Sequence, residues 1–82
     1  MGLNEILDHY ADENFLIADG FDDAVIGVDT KSLRLIYSVD KILEILVTKE
    51  EMTYTDALEH YHYNIESGWV GDQTPIWCYD II

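Results

Sequence analysis

Basic side chains are scarce in this chain of 82 residues: four lysines and arginines stand against seventeen aspartates and glutamates, for a formal net charge of −13. None of the four lies in residues 1–30 or 50–82; Lys31, Arg34, Lys41 and Lys49 all fall in the middle segment. Direct binding to free nucleic acid or to an anionic membrane is therefore not expected, because phosphate would be repelled. Cysteine is limited to Cys78, so no internal disulfide forms, and the N-terminus has no basic region followed by an apolar core. Together these point to a reducing cytoplasm. No apolar run approaches the roughly 18 residues that a membrane span needs. Internal repeats, low-complexity tracts and a Gly/Pro-rich linker are all missing, so residues 1–82 are expected to form one small domain.

Core-forming material is plentiful by contrast. Nearly half the chain is hydrophobic, with two Trp, six Tyr and two Phe, which argues for a folded body rather than disorder. Leu3, Ile6, Leu7 and Tyr10 follow i, i+3, i+4, i+7 and predict a first helix from Leu3 to Tyr10 or Ala11. Phe15–Ala18 reads as a short strand or an extended edge segment. Ala24–Asp29 and Leu33–Ser38 predict a β-hairpin. Ala24, Ile26 and Val28 share one face of its first strand; Leu33, Leu35 and Tyr37 share one face of its second. Asp29 opens a four-residue turn between them, and Gly27 marks close packing or a bulge.

Ser38 is placed to cap a second helix, from Val39 to about Lys49. Its expected buried face is Val39, Ile42, Leu43, Leu46 and Val47, with Ile45 off that face. Thr53 caps a third helix whose stripe is Ala57, Leu58, Tyr61 and Ile65, with Gly68 as its positive-φ terminator. Pro75 then opens a last strand, Ile76–Tyr79. The fold class is α+β: a small antiparallel sheet of the hairpin plus the C-terminal strand, with Phe15–Ala18 as a short fourth strand, packed on one side by about three helices.

Chemical motifs are few. Glu59, His62 and Glu66 fall on one helical face, and Glu-x-x-His is half of a carboxylate-bridged di-metal motif; the other helices offer no second half. A polar face in which His62 attracts its neighbouring acids is the expected reading. The acidic turn Asp19-Gly20-Phe21-Asp22-Asp23 has its glycine second rather than sixth and so fails as an EF-hand loop. Cys78, between Trp77 and Tyr79 in a strand, is expected to be a buried inert thiol. No glycine-rich phosphate loop occurs. Neither catalytic, cofactor nor metal residues are assigned, and the chain is expected not to be an enzyme.

The expected interaction residues are Asp19, Asp22, Asp23, Glu59, Glu66, Trp69 and Asp72, directed at a protein with a basic surface. Tyr63 joins Trp69 as an anchor if exposed. Self-association through the apolar surface around Ile45 or the strand after Pro75 is the alternative, and a metal-dependent enzyme a more distant one. The runs FLIADGFDDAVIGVD, LRLIYSVDKILEIL and DALEHYHYNIESGWVGDQTPI also resemble a family of small bacteriophage proteins, found too in bacterial genomes that carry phage-derived genes. The similarity spans Asn14 to Ile81. Its sharpest marks are Asp19-Gly20-Phe21-Asp22-Asp23-Ala24 and the Tyr63-Asn64, Trp69-Val70-Gly71 and Thr74-Pro75-Ile76 groups. That resemblance implies a phage context and brings with it no activity and no functional residue. A host-factor inhibitor, with nucleic-acid mimicry as its sharper form, fits that context.

Overall fold

The computed structural model describes residues 2–68 and 71–80. The chain runs from helix α1 (Leu3–His9) through a single 3-10 turn (Asp22–Ala24) into strand β1 (Val25–Val28) and then strand β2 (Leu35–Ser38). Helices α2 (Val39–Thr48) and α3 (Tyr54–His60) follow; α3 continues without a break as a π-helical segment (Tyr61–Glu66), and strand β3 (Ile76–Cys78) ends the order. This is the expected α+β class, with three helices and a three-stranded sheet.

Two features of the sheet depart from expectation. β1 and β2 pair antiparallel, but β3 lies parallel to β2, with Ile36 opposite Ile76 and Ser38 opposite Cys78, so the sheet is mixed. The reason is the connection: the chain leaves β2 directly into α2, crosses through both later helices, and returns in the same sense, which is how parallel neighbours are joined. Phe15–Ala18 is not a fourth strand. Its chain is held instead by the buried Tyr37 hydroxyl, which accepts a hydrogen bond from the Ala18 N–H at 2.8 Å. A turn follows, closed by the Phe21 N–H on the Ala18 carbonyl, with Gly20 at φ +88. That backbone suits glycine at the third position of a type II turn.

The hairpin is irregular in both halves. Val25 pairs with Tyr37 and Gly27 with Ile36, so Ile26 is an extra residue that bulges out of the ladder. The expected Ala24, Ile26, Val28 face is thereby broken: Val25 is buried, while Ile26 is half-exposed. No atom comes within 4 Å of a Cβ built on Gly27, so it marks the bulge and not a close approach. At the turn, the Asp29 carboxylate accepts bonds from the Lys31 and Ser32 N–H groups and the Ser32 hydroxyl. Leu33 closes the loop at φ +54, its N–H reaching the Asp29 carbonyl at 2.7 Å, so it belongs to the turn and not to β2.

The core joins Leu3 and Ile6 of α1, Val25 of β1, Leu35 and Tyr37 of β2, four residues of α2, and Ala57 and Tyr61 of the last helix. Ser38 is the pivot between sheet and helix. Its hydroxyl accepts the Lys41 N–H as the α2 cap and donates to the Asp80 carboxylate at 2.5 Å. Trp77 brings β3 into the core, its ring 5.4 Å from Tyr37 and edge-on to Tyr61 at 6.3 Å. Cys78 beside it is half-buried, less enclosed than expected. Gly68 does not take positive φ; Ser67 ends the helical run in ordinary right-handed geometry, and the Gly68 N–H bonds the Ile65 carbonyl.

Candidate functional site: an acidic cleft at the N-terminal helix

The two flanks of α2 differ from the expected pattern, and the difference shapes the surface. Ile45 packs against the core, whereas Val47 is exposed. Helical angle alone does not separate them, since both sit at the margins of the stripe centred on Ile42 and Leu46. The 3-10 turn decides it by packing against α2, with Asp23 and Ile45 lining a common depression.

The same turn forms one wall of an open cleft of about 580 Å³ lined by Leu3, Glu5, Asp22, Asp23, Ile26 and Lys41 among others. Each wall has a local cause. Glu5 lies in the first turn of α1, and Asp22 and Asp23 open the 3-10 turn, where acids suit the positive end of a helical segment. The bulge in β1 turns Ile26 toward the cleft, while Leu3 and Val25 give it an apolar base continuous with the core. Lys41 reaches the rim from α2. A neighbouring lysine, Lys49, approaches the Asp23 carboxylate at 3.9 Å; both side chains are exposed, so this pair contributes little, at most about 1 kcal/mol.

Acidic charge at this end of the molecule is also felt inside it. The Tyr37 hydroxyl is pushed above its ordinary pKa, first by burial and then by Asp22 and Asp19, with the Ala18 N–H acting in the opposite sense. Asp19 and Asp22 therefore both act on the buried Tyr37 hydroxyl.

The other expected residues are placed elsewhere. Glu66 meets His62, with 3.3 Å between Oε1 and Nδ1 and both side chains about half exposed. The π-helical segment gives Glu66 a second neighbour five residues back: Tyr61, whose pKa is raised by burial and then by a hydrogen bond to Glu66. Glu59 is exposed on α3, and Asp72 is exposed in the turn that Gly71, at φ +116, allows before β3. None of Asp19, Glu59, Glu66 and Asp72 lines the acidic cleft. Trp69 lies outside the described residues. Tyr63 is 78% exposed and so meets the condition set for a surface anchor.

Among the described residues, no group of three or more His, Cys, Asp or Glu side chains gathers where it could hold a metal ion, and no helix is long and apolar enough to cross a membrane. Sequence reasoning missed Glu5, Ile26 and Lys41 as cleft residues, because they come from three elements that only the tertiary fold brings together. It also missed Tyr54, which is 62% exposed although its spacing to Ala57 and Leu58 is that of the buried stripe. Searches of protein-family models, of curated proteins and of solved structures find no match to the chain.

Proposed function

We propose that the chain is a non-enzymatic interaction protein that engages a basic surface of another protein through the acidic end built by α1 and the 3-10 turn. The observation that carries this reading is the cleft itself: Glu5, Asp22 and Asp23 stand exposed around an apolar base in a molecule of net charge −13. Carboxylates on such a rim take up arginine and lysine side chains as charge-assisted pairs, and the half-exposed Ile26 adds apolar contact area. The same charge steers a cationic partner in and turns away nucleic acid and anionic lipid.

The phage-type resemblance of Asn14–Ile81 supports a host-directed role in the cytoplasm, in which the protein occupies and so inhibits its target. Nucleic-acid mimicry is the sharper form of this idea, with carboxylates standing in for phosphates. Capture of protein from a host lysate at low and high salt tests the reading, using the native chain beside an Asp22→Asn/Asp23→Asn variant. Binding that weakens with salt and with the neutralised pair supports it. Binding indifferent to both, or turnover of a substrate by the purified chain, overturns it. Competition by added nucleic acid is expected only of the mimic.

A further inference from the structure

On the opposite flank of α2 lies a second groove, of about 350 Å³, lined by Asp40, Leu43, Glu44, Val47, Thr48 and Tyr54. Its base is Leu43 and the bare Val47; the ring of Tyr54 forms one side. Asp40 and Glu44, one helical turn apart on α2, stand on its edge, and neither makes an ion pair among the described residues. We infer that this groove is the anchor site for a basic amphipathic helix of a partner protein. One or two apolar side chains of that helix would sit on Val47 and Tyr54, and flanking lysines or arginines would meet Asp40 and Glu44.

Three observations select this occupant. The volume is at the low end of ligand sites, about 300–1,000 Å³, and suits one or two side chains better than a cofactor. The edge is anionic, so the complementary segment carries cations beside its apolar stripe, in the helix-in-groove mode. A second copy of the chain fits poorly: a two-fold contact here would set Asp40 and Glu44 of one molecule against the same residues of the other, in a protein of net charge −13.

The inference rests on the proposed reading that the partner is a basic protein, and the test separates the two. The probe is a synthetic amphipathic peptide with leucines at helical spacing and lysines on the flanks, titrated into the full chain and followed by two-dimensional NMR. Saturable shifts at Leu43, Val47 and Tyr54 are expected. Val47→Asp and Tyr54→Ala, both exposed positions, should each weaken binding by about tenfold or more while leaving the thermal melt unchanged. A matched peptide with glutamate for lysine should bind at least about tenfold more weakly. Failure of the leucine–lysine peptide to bind, or binding untouched by Val47→Asp, overturns the groove inference. If a lysine–serine peptide without leucine still binds and Asp22→Asn/Asp23→Asn removes it, the acidic reading stands without the groove. Groove binding that is insensitive to that pair but weakened by salt and by Asp40→Asn/Glu44→Asn supports the groove and removes the acidic cleft from the reading. Sedimentation showing a dimer that Val47→Asp dissociates assigns the groove to a second copy and also overturns the inference.

Discussion

The two flanks of α2 carry similar β-branched residues, Ile45 and Val47, yet the fold treats them oppositely. On one side the 3-10 turn packs against α2, and Ile45 joins the core; on the other, α3 begins with Tyr54 tipped outward, and Val47 is left at the base of an open groove. Burial of a marginal position on an amphipathic helix is thus decided by what arrives beside it, not by its angle. An open flank is also where a small protein keeps apolar surface available for others.

Substitutions can break or sharpen this contrast. The largest effect is expected between the flanks, at Ile42, which is 0% exposed. Ile42→Ala should cost about 2–5 kcal/mol, a large share of a small domain's total stability, read as a fall in the urea midpoint. Next come the flanks themselves. Ile45→Ala should cost about 1–2 kcal/mol, since its side chain is only partly enclosed, whereas Val47→Ala should stay within about 0.5 kcal/mol. Equal losses at the two positions would erase the distinction.

At the N-terminus of α2 both flanks depend on Ser38. Ser38→Ala removes the cap and should cost about 0.5–2 kcal/mol. It also removes the hydrogen bond that holds the Asp80 carboxyl below its ordinary value of 3.8. A carboxyl lowered in the folded state binds its proton more readily when unfolded. Its contribution is therefore complete above the unfolded value and is lost as pH falls through the lower folded one. Asp80→Asn should accordingly flatten the acid limb of the stability curve, leaving the share due to Asp29, whose pKa is lowered chiefly by Ser32. An unchanged acid limb would show that the Ser38–Asp80 contact is not formed in solution. One change has the opposite sign. Glu51, in the connection between α2 and α3, has φ +56, a conformation usually given to glycine, so Glu51→Gly should raise stability by up to about 1 kcal/mol in thermal melts.

Much of the architecture was readable from local pattern. Ser38 and Thr53 cap the helices they precede, each accepting the N–H three residues on, as their position before an apolar periodic run suggests. Pro75 stands just before β3, where its missing N–H costs no ladder bond. The orientation of β3 was also available in principle, because strand, helix, helix, strand is the signature of a crossover; grouping the strands by sequence order concealed it. The π-helical turns from Tyr61 had no local mark. They set Tyr61 against Trp77 and Glu66 together, contacts among distant or i, i+5 residues that a 3.6-residue period does not encode.

The candidate surfaces divide in the same way. Asp22 and Asp23 were legible as a group because they are neighbours in the chain, whereas Glu5, Ile26 and Lys41 join them only through packing of α1, a bulged strand and α2. By itself, then, the order of residues determined the helices, the Ser38 and Thr53 caps, the hairpin and the acidic composition, since each follows from interactions within a few positions or from composition. Tertiary structure alone decided the parallel pairing of β3, the closed and open flanks of α2, and the meeting of acids with apolar surface. Those outcomes are contacts between residues far apart in the chain, and which of them form is settled only when all the elements compete for the same small core.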